Sequence, residues 1–280
     1  MKGKTVVVTG GTSGIGQVAA EKLAAMGARI VLVARDRARG EMALARLRAA
    51  AAGADHAVHY GDLSSLAEMK RVAAAIAAAE PRVDVLINNA GAMFNSRHLT
   101  GDGLELTFAT NHMAYFVLTE GLRERLLAAA PARIVSTASV AHRGARLDFG
   151  DLQASRWDGG LRVYGRSKLC NVLHTRELAR RLAGSGVTAN CLHPGFVASR
   201  FGDSSGGPFA YLVRFSKLFA ISPERGAATI VHLASSPEVA GASGGYYVKC
   251  KPARSSRAAQ NEDAARRLWD ESARLAGLAG

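Results

Sequence analysis

Tyr164 and Lys168 stand four positions apart in "YGRSKLCN", within a stretch whose pattern predicts a helix over 163–183. Four positions along a helix bring two side chains onto one face, one turn apart. A free phenol ionises at a pKa of roughly 10, too high for useful proton transfer at neutral pH, and a neighbouring positive charge lowers that value. The pair is thus a candidate acid–base couple. The spacing also recurs by chance in many helices, so the rest of the chain has to supply a reason for moving a proton.

A second chemistry-bearing stretch, "TGGTSGIG" at 9–16, follows the apolar run "TVVVT" directly. Gly10, Gly14 and Gly16 permit a tight turn with outward-facing amides, flanked by Thr12, Ser13 and Ile15, and a helix begins inside the motif. A helix N-terminus with free N–H groups binds phosphate. The spacing G-x-x-x-G-x-G differs from the usual dinucleotide fingerprint, but the strand–turn–helix context is the same. Sites that select NAD place an acidic residue at the end of the second strand. Here "RIVLVA" ends in Ala34 and Arg35. An arginine suits a 2′-phosphate through charge-assisted hydrogen bonds, which makes Arg35 the candidate contact. Six arginines against Asp36 and Glu41 between 29 and 48 make the local field positive. Arg37 and Arg39 read as a solvated helix start.

Elements able to hold these groups alternate along the chain. The runs at 5–9, 29–34, 83–89 and 132–137 are apolar almost throughout, as strands buried on both faces are. Weaker strands are expected at 56–60, 187–193 and 244–249. Helices are expected over 15–26, 37–52, 65–79, 106–129, 163–183 and 224–235. Such alternation predicts a doubly wound parallel sheet with helices on both faces, an α/β fold forming one domain over 1–280. The stretch 198–222 interrupts the alternation with paired glycines and many aromatics, and is expected to be a mobile lid over an apolar substrate.

Composition narrows the function classes. With 48% hydrophobic residues the chain can build a sizeable core. No apolar run reaches the roughly 18 residues of a membrane span and no signal-peptide core is seen, so a cytoplasmic protein is expected. Cys170, Cys191 and Cys250 are widely spaced and read as buried, reduced thiols. No His, Asp or Glu grouping has metal-ligand spacing, and no metal is expected. The net charge of +13 suggests nucleic acid, yet the arginines are scattered and aromatics make up only 6%, so no nucleic-acid partner is expected. His112 and His142 read as bystanders, Asp148 and Asp151 as loop solvation, Trp157 and Trp269 as packing anchors.

"TGGTSGIG", "NNAG" at 88–91 and Tyr164-x-x-x-Lys168, in this order, resemble the short-chain dehydrogenase/reductase family over nearly the whole chain. "YGRSKLCNVL" and the C-terminal "GGYYVKCKPARSS…AARRLWDESARLAGL" resemble its retinol dehydrogenase-like branch. The resemblance implies a Rossmann-type fold, NADP(H) as cofactor and a hydrophobic carbonyl or alcohol as substrate. By the same resemblance Asp62 with Leu63 contacts the adenine, and Asn89, Ala90 and Gly91 line the cofactor cleft. Pro194, Gly195 and Val197 lie on the nicotinamide side. Tyr164 becomes the general acid or base, with Lys168 lowering its pKa and holding the nicotinamide ribose. Ser139 bonds the substrate oxygen, and Asn111 anchors a water linking Lys168 to solvent. Ser139 lies 25 positions before Tyr164, about twice the common family separation but matched in this branch; Ser136 is the rival hydroxyl. A homo-oligomer through 106–129 and 163–183 is the family expectation. The alternative function is a catalytically idle dinucleotide sensor on the same fold.

Overall fold

Side chains alternate along a strand, so the apolar runs send successive residues to opposite faces of whatever sheet they form. The computed structural model describes residues 1–51, 53–195 and 221–278. In it β1 (Thr5–Thr9), β2 (Arg29–Ala34), β3 (Ala57–Tyr60), β4 (Val85–Asn88), β5 (Ala132–Thr137), β6 (Val187–His193), β7 (Tyr246–Val248) and β8 (Lys251–Pro252) make one sheet. Its order is β3-β2-β1-β4-β5-β6-β7-β8. Strands β1 to β7 pair in parallel, and β8 turns back antiparallel on β7.

The helices are α1 (Gly14–Ala25), α2 (Arg37–Ala50), α3 (Leu66–Ala79), α4 (Leu106–Phe108), α5 (Ala114–Gly121), α6 (Arg123–Leu127), α7 (Gly160–Arg181), α8 (Pro223–Ser235) and α9 (Glu262–Ala276). Val6, Val8, Ile30, Leu32 and Ile87 pack on one side against Leu23 of α1, Leu47 of α2 and Ile230 of α8. Val7, Val31, Leu86 and Ile134 pack on the other against Ile76 of α3, Leu118 of α5, Leu169 of α7 and Trp269 of α9. Both faces of the sheet are covered, and this accounts for the unbroken apolar runs.

The single helix expected over 106–129 is divided. Buried Glu105 caps α4 by accepting from the backbone N–H groups of Thr107 and Phe108 at 2.9 and 2.8 Å. A π-helical turn, Ala109–Met113, then separates α4 from α5, and the chain kinks at Leu122 before α6. Turns of this kind occur mostly at functional sites, and this one carries Asn111.

Helix α9 was not among the expected elements. Ala265, Leu268, Trp269, Ser272, Ala273 and Ala276 share its buried face, Asn261 caps its start and left-handed Gly277 ends it. Trp269 meets Phe116 edge-on at 5.0 Å and stacks on His174 at 5.6 Å, with the Arg181 guanidinium 4.4 Å from its ring centre. Helix α9 therefore packs against both α5 and α7. Of the expected lid, 198–220 lies outside the described residues, as does Val197. Ser222, at its end, caps α8 by accepting from Arg225 N–H at 3.4 Å. Among the described residues no helix is long and apolar enough to cross a membrane.

Trp269 is the anchor of α9, and Trp269→Ala is expected to cost about 3–5 kcal/mol through the cavity it leaves. Urea unfolding checks this, and a loss below about 1 kcal/mol would show that the indole does not hold the helix in place.

Candidate active site

From β3 at one side of the sheet the chain crosses over β1 to begin β4 on its far side. The connections leaving β1 and β4 therefore diverge, and a crevice opens at the carboxyl ends of these strands, where ligands bind in such sheets. The glycine turn occupies the β1 side. Gly10 has φ +66 and a Cβ there would stand 2.8 Å from the Ala90 Cα; a Cβ on Gly16 would collide with the Asn89 amide and the Gly10 carbonyl. Only glycine lets the turn lie against Asn89–Ala90. Ser13 is the N-cap residue of α1, yet its side chain makes no capping bond. Among the described residues its hydroxyl and the first amides of α1 have no hydrogen-bond partner, as an anion cradle requires. Thr12, Gly14 and Ile15 are half-buried beside it.

Asn89 knits the strand ends together. Its amide donates to the carbonyls of Thr9 and Gly10, each at 3.2 Å, and its carbonyl oxygen accepts from Thr137 Oγ1 at 3.2 Å. The Thr9 hydroxyl oxygen accepts from the N–H groups of Asn89 and Ala90 at 2.9 and 3.0 Å. The Asn89 side chain is therefore framework of the cleft. At the adenine side Asp62 accepts from the N–H and hydroxyl of Ser64 at 3.0 and 2.9 Å, and Leu63 is buried beneath it. Ala34 is buried, while Arg35 is exposed and has no ion pair among the described residues. Arg37 is exposed too, but lies over the Tyr60 ring at 4.7 Å. Pro194 and Gly195 follow β6, and Gly195 has φ +95.

On the β5 and α7 side the catalytic candidates converge. Ser139 lies just beyond β5, its oxygen accepting from Ala141 N–H at 3.2 Å, and its side chain hydrogen-bonds Tyr164. Ser136, the rival, is buried in mid-ladder on β5, in register with Asn88 and Cys191. Lys168 is 2% exposed. Its ammonium donates to the Thr137 carbonyl at 2.9 Å and lies 5.6 Å from the ring centres of both Tyr164 and Tyr115. Gly91 faces it: a Cβ there would stand 3.4 Å from Nζ and 3.1 Å from Asn111 Oδ1. Asn111 accepts from Ala92 N–H at 2.8 Å and donates to the Ala92 carbonyl and to Ser167 Oγ at 2.9 and 3.0 Å. Its side chain staples the Gly91 loop to α7.

Burial pushes the Tyr164 phenol up to about 12, with the Ser139 hydrogen bond opposing it. Burial alone pulls Lys168 down to about 7. The ammonium makes its hydrogen bond to the Thr137 carbonyl, and its centre lies 5.6 Å from that of the Tyr164 ring.

Several surroundings differ from the sequence reading. Asp151 is held down to about 2 by accepting from the backbone N–H of Ser155 and Arg156, and both Asp148 and Asp151 pair with the Arg156 side chain. They brace the 148–156 loop instead of merely solvating it. Cys170 and Cys191 are buried, whereas Cys250 is only half-buried. Ser167 and Thr137 belong to the site and were missed. Their signals were weak, one being the residue before the lysine and the other the last residue of a strand.

The sequence pattern of the short chain dehydrogenase family matches residues 4–206. The chain belongs to the short-chain dehydrogenase/reductase family. Retinol dehydrogenase 13 of Homo sapiens is 41% identical over 288 residues, which is 99% of this chain and 85% of that protein. Retinol dehydrogenase 14 of Mus musculus is 40% identical over 291 residues, 99% of this chain and 87% of its own. Among solved structures, an uncharacterised protein from Mycobacterium paratuberculosis matches with a TM-score of 0.79 at 33% identity, covering 99% of this chain and 94% of its own. The NADP complex of Pseudomonas aeruginosa RhlG matches with a TM-score of 0.70 at 30% identity, covering 88% and 94%.

In this short-chain dehydrogenase/reductase the buried lysine has a measurable consequence. Its folded midpoint, about 7, lies below its unfolded value of 10.5. Between the two, the unfolded chain binds more protons, so stability rises with pH. The buried histidines, lowered by burial from 6.5, add to this slope near the bottom of that range. The buried thiols, raised by burial from 9.0, subtract from it as the unfolded chain's thiols begin to ionise. Near about pH 8, between those two sets, the lysine should contribute a slope of about 1.4 kcal/mol per pH unit, measured by chemical unfolding without cofactor. Lys168→Met should flatten it, and an unchanged slope in that variant would mean the lysine is not the group titrating.

Proposed function

We propose that this enzyme is NADP(H)-dependent and interconverts a hydrophobic ketone or aldehyde with its alcohol. Tyr164 is the general acid for reduction and the general base for oxidation. The observation that carries the reading is the meeting of Tyr164, Ser139 and buried Lys168 across the cleft from an uncapped, glycine-lined helix start.

The residues present fit the cofactor. Gly10, Thr12, Ser13, Gly14, Ile15 and Gly16 would hold the pyrophosphate, because the turn offers free amides and an unused hydroxyl where side chains would block approach. Arg35 would take the 2′-phosphate; it is an exposed cation at the end of β2, the place where NAD-selecting sites put a carboxylate. Asp62 and Leu63 would flank the adenine, Asn89, Ala90 and Gly91 the central cleft, and Pro194 and Gly195 the nicotinamide. When bound, NADP(H) supplies or accepts the hydride.

The chain's own groups handle the proton. Ser139 donates a hydrogen bond to the substrate oxygen, where negative charge grows during reduction, and Tyr164 delivers the proton that completes the alcohol. A phenol held up to about 12 keeps its proton at neutral pH and is a weak donor. Positive charge brought near it lowers that barrier, and Lys168 is the cation placed to supply it. An apolar rim supports a hydrophobic substrate. Val140, next to Ser139, is 50% exposed and Leu161, one turn before Gly165, is 58% exposed. The two belong to neighbouring segments, since a Cβ on Gly165 would stand 2.9 Å from the Ala141 carbonyl oxygen. The names of the two mammalian relatives point to the same substrate class.

Purified protein mixed with NADPH and a panel of long-chain aldehydes and ketones should consume cofactor. Tyr164→Phe should cut turnover by about 10²–10⁴-fold while leaving NADPH affinity nearly intact. Near-normal turnover in that variant would remove the phenol from the mechanism. Arg35→Ala should weaken NADPH by about 1.5–3 kcal/mol and leave NADH affinity unchanged. Equal losses for both cofactors would show that Arg35 does not read the 2′-phosphate.

A further inference from the structure

Two buried imidazoles outside the catalytic set, His142 and His112, run from the catalytic strand end into the C-terminal segment. His142 has both ring nitrogens engaged. Ser256 N–H donates to Nε2 at 3.1 Å, and Nδ1 lies 2.5 Å from the Ser139 carbonyl oxygen. A backbone N–H can only donate and a carbonyl can only accept, so the ring is neutral with its proton on Nδ1. The groups facing it are Arg143 on its own turn, His193 at the end of β6 and the Tyr246 ring of β7, edge-on at 4.9 Å. None is a carboxylate, and burial disfavours the charged ring.

His112 makes the parallel connection one layer over. Its Nε2 lies 2.8 Å from Ser272 Oγ on α9, and the Asn171 side chain on α7 is within hydrogen-bonding reach of the ring. Asn171 Nδ2 donates to the Thr137 carbonyl at 3.3 Å, the same oxygen that takes the Lys168 ammonium. His112 Nδ1 and Asn171 Oδ1 are buried and have no partner of good geometry. One proton placement serves every group. With the Ser272 O–H turned to Nε2, the ring proton sits on Nδ1 and faces the unpartnered Asn171 Oδ1. The Leu268 carbonyl, also 2.7 Å from Ser272 Oγ, can release the hydroxyl and keep its helical N–H donor. The other groups around His112 are Phe108 and His174, and His174 in turn faces Glu177. No acid touches His112 itself, and burial keeps it neutral.

Both connections end on carbonyls that flank Ala138, those of Thr137 and Ser139. We propose that His142 and His112, the latter through Asn171, are positioning residues: neutral Nδ1–H bridges through which the C-terminal segment fixes the stretch 137–139 that carries Ser139 and anchors Lys168. The assignment rests on the catalytic reading above for its consequence, but the bridges are features of the protein without cofactor. Protonating His142 would turn Nε2 into a second donor facing Ser256 N–H and break the first bridge. Replacing the His142 ring would leave the Ser139 carbonyl with the His142 N–H at 3.2 Å, and replacing the His112 ring would leave the Asn171 side chain, one of the two donors to the Thr137 carbonyl, without its brace; small displacements of reacting groups are costly in rate.

Selective 15N-histidine labelling of the cofactor-free protein tests the bridges directly, with His142→Phe and His112→Phe assigning the signals. At pH 7.5 both rings should show a protonated Nδ1 and an unprotonated Nε2; an Nε2–H tautomer or an imidazolium at His142 would overturn the proposal. In turnover with a carbonyl accepted by the wild type, His142→Phe should lower kcat about 10–100-fold, with KM and NADPH affinity little changed. A kcat within twofold of wild type would show that the bridge positions nothing. If that variant does not fold, Ser272→Ala decides, since it removes only one hydroxyl from α9. It should move the His112 nitrogen signals away from their wild-type positions, and unmoved signals would overturn the second bridge. A wild type that turns over no carbonyl would sink the catalytic reading and still leave the nitrogen spectra to decide the bridges.

Discussion

Burying the Lys168 ammonium is the constraint around which this end of the molecule is built. An ammonium taken out of water is very costly unless it finds hydrogen-bond acceptors. The Thr137 carbonyl supplies one acceptor at the point where β5 ends, and the faces of Tyr115 and Tyr164 supply diffuse negative charge on either side. Gly91 and the Asn111 side chain close the space next to it. The Asn111 side chain reaches that place from a π-helical turn between α4 and α5. The stapling of the Gly91 loop, the seating of α7 and the Ser139 corner all follow from making room for one cation.

The phenol is protonated far above neutrality and the lysine is close to its own midpoint. Neither group is useful by itself. A ligand that brought positive charge to the phenol and polar groups to the lysine would move both midpoints toward the middle of the pH scale, the phenol down and the ammonium up. Coupling between site and ligand is thereby built into the burial, and water kept out of the cleft strengthens it.

The legible parts of the fold were those fixed by local rules. Val6, Val7 and Val8 are apolar because the sheet is covered on both faces, and that pattern alone locates β1. Gly10 and Gly16 announce the turn because no other residue tolerates the approach of Asn89 and Ala90. What stayed hidden depends on contacts distant in sequence. The π-helical turn is set by buried Glu105 and by the Ala92 backbone, which nothing in 106–129 reveals. Helix α9 is the exception: Ala265, Leu268, Trp269, Ser272, Ala273 and Ala276 recur at helical spacing on its buried face, so it was legible although not among the expected elements. His112 and His142 read as bystanders because their partners, Ser272 and Ser256, lie more than a hundred positions away. Tyr164 and Lys168 were visible as a pair, but the direction of the ammonium was not, since it is decided by a carbonyl on another element.

The most direct test follows the phenol itself. Ultraviolet difference titration of wild type against Tyr164→Phe isolates the ionisation of this one tyrosine, with NADP⁺ absent and then saturating. Without NADP⁺ the difference should show no phenolate until close to pH 12. With NADP⁺ bound, a one-phenol step should appear at least about two pH units lower, the size of shift a nearby cation produces. A step at the ordinary tyrosine position in the free protein, or the same midpoint with and without NADP⁺, would contradict the account.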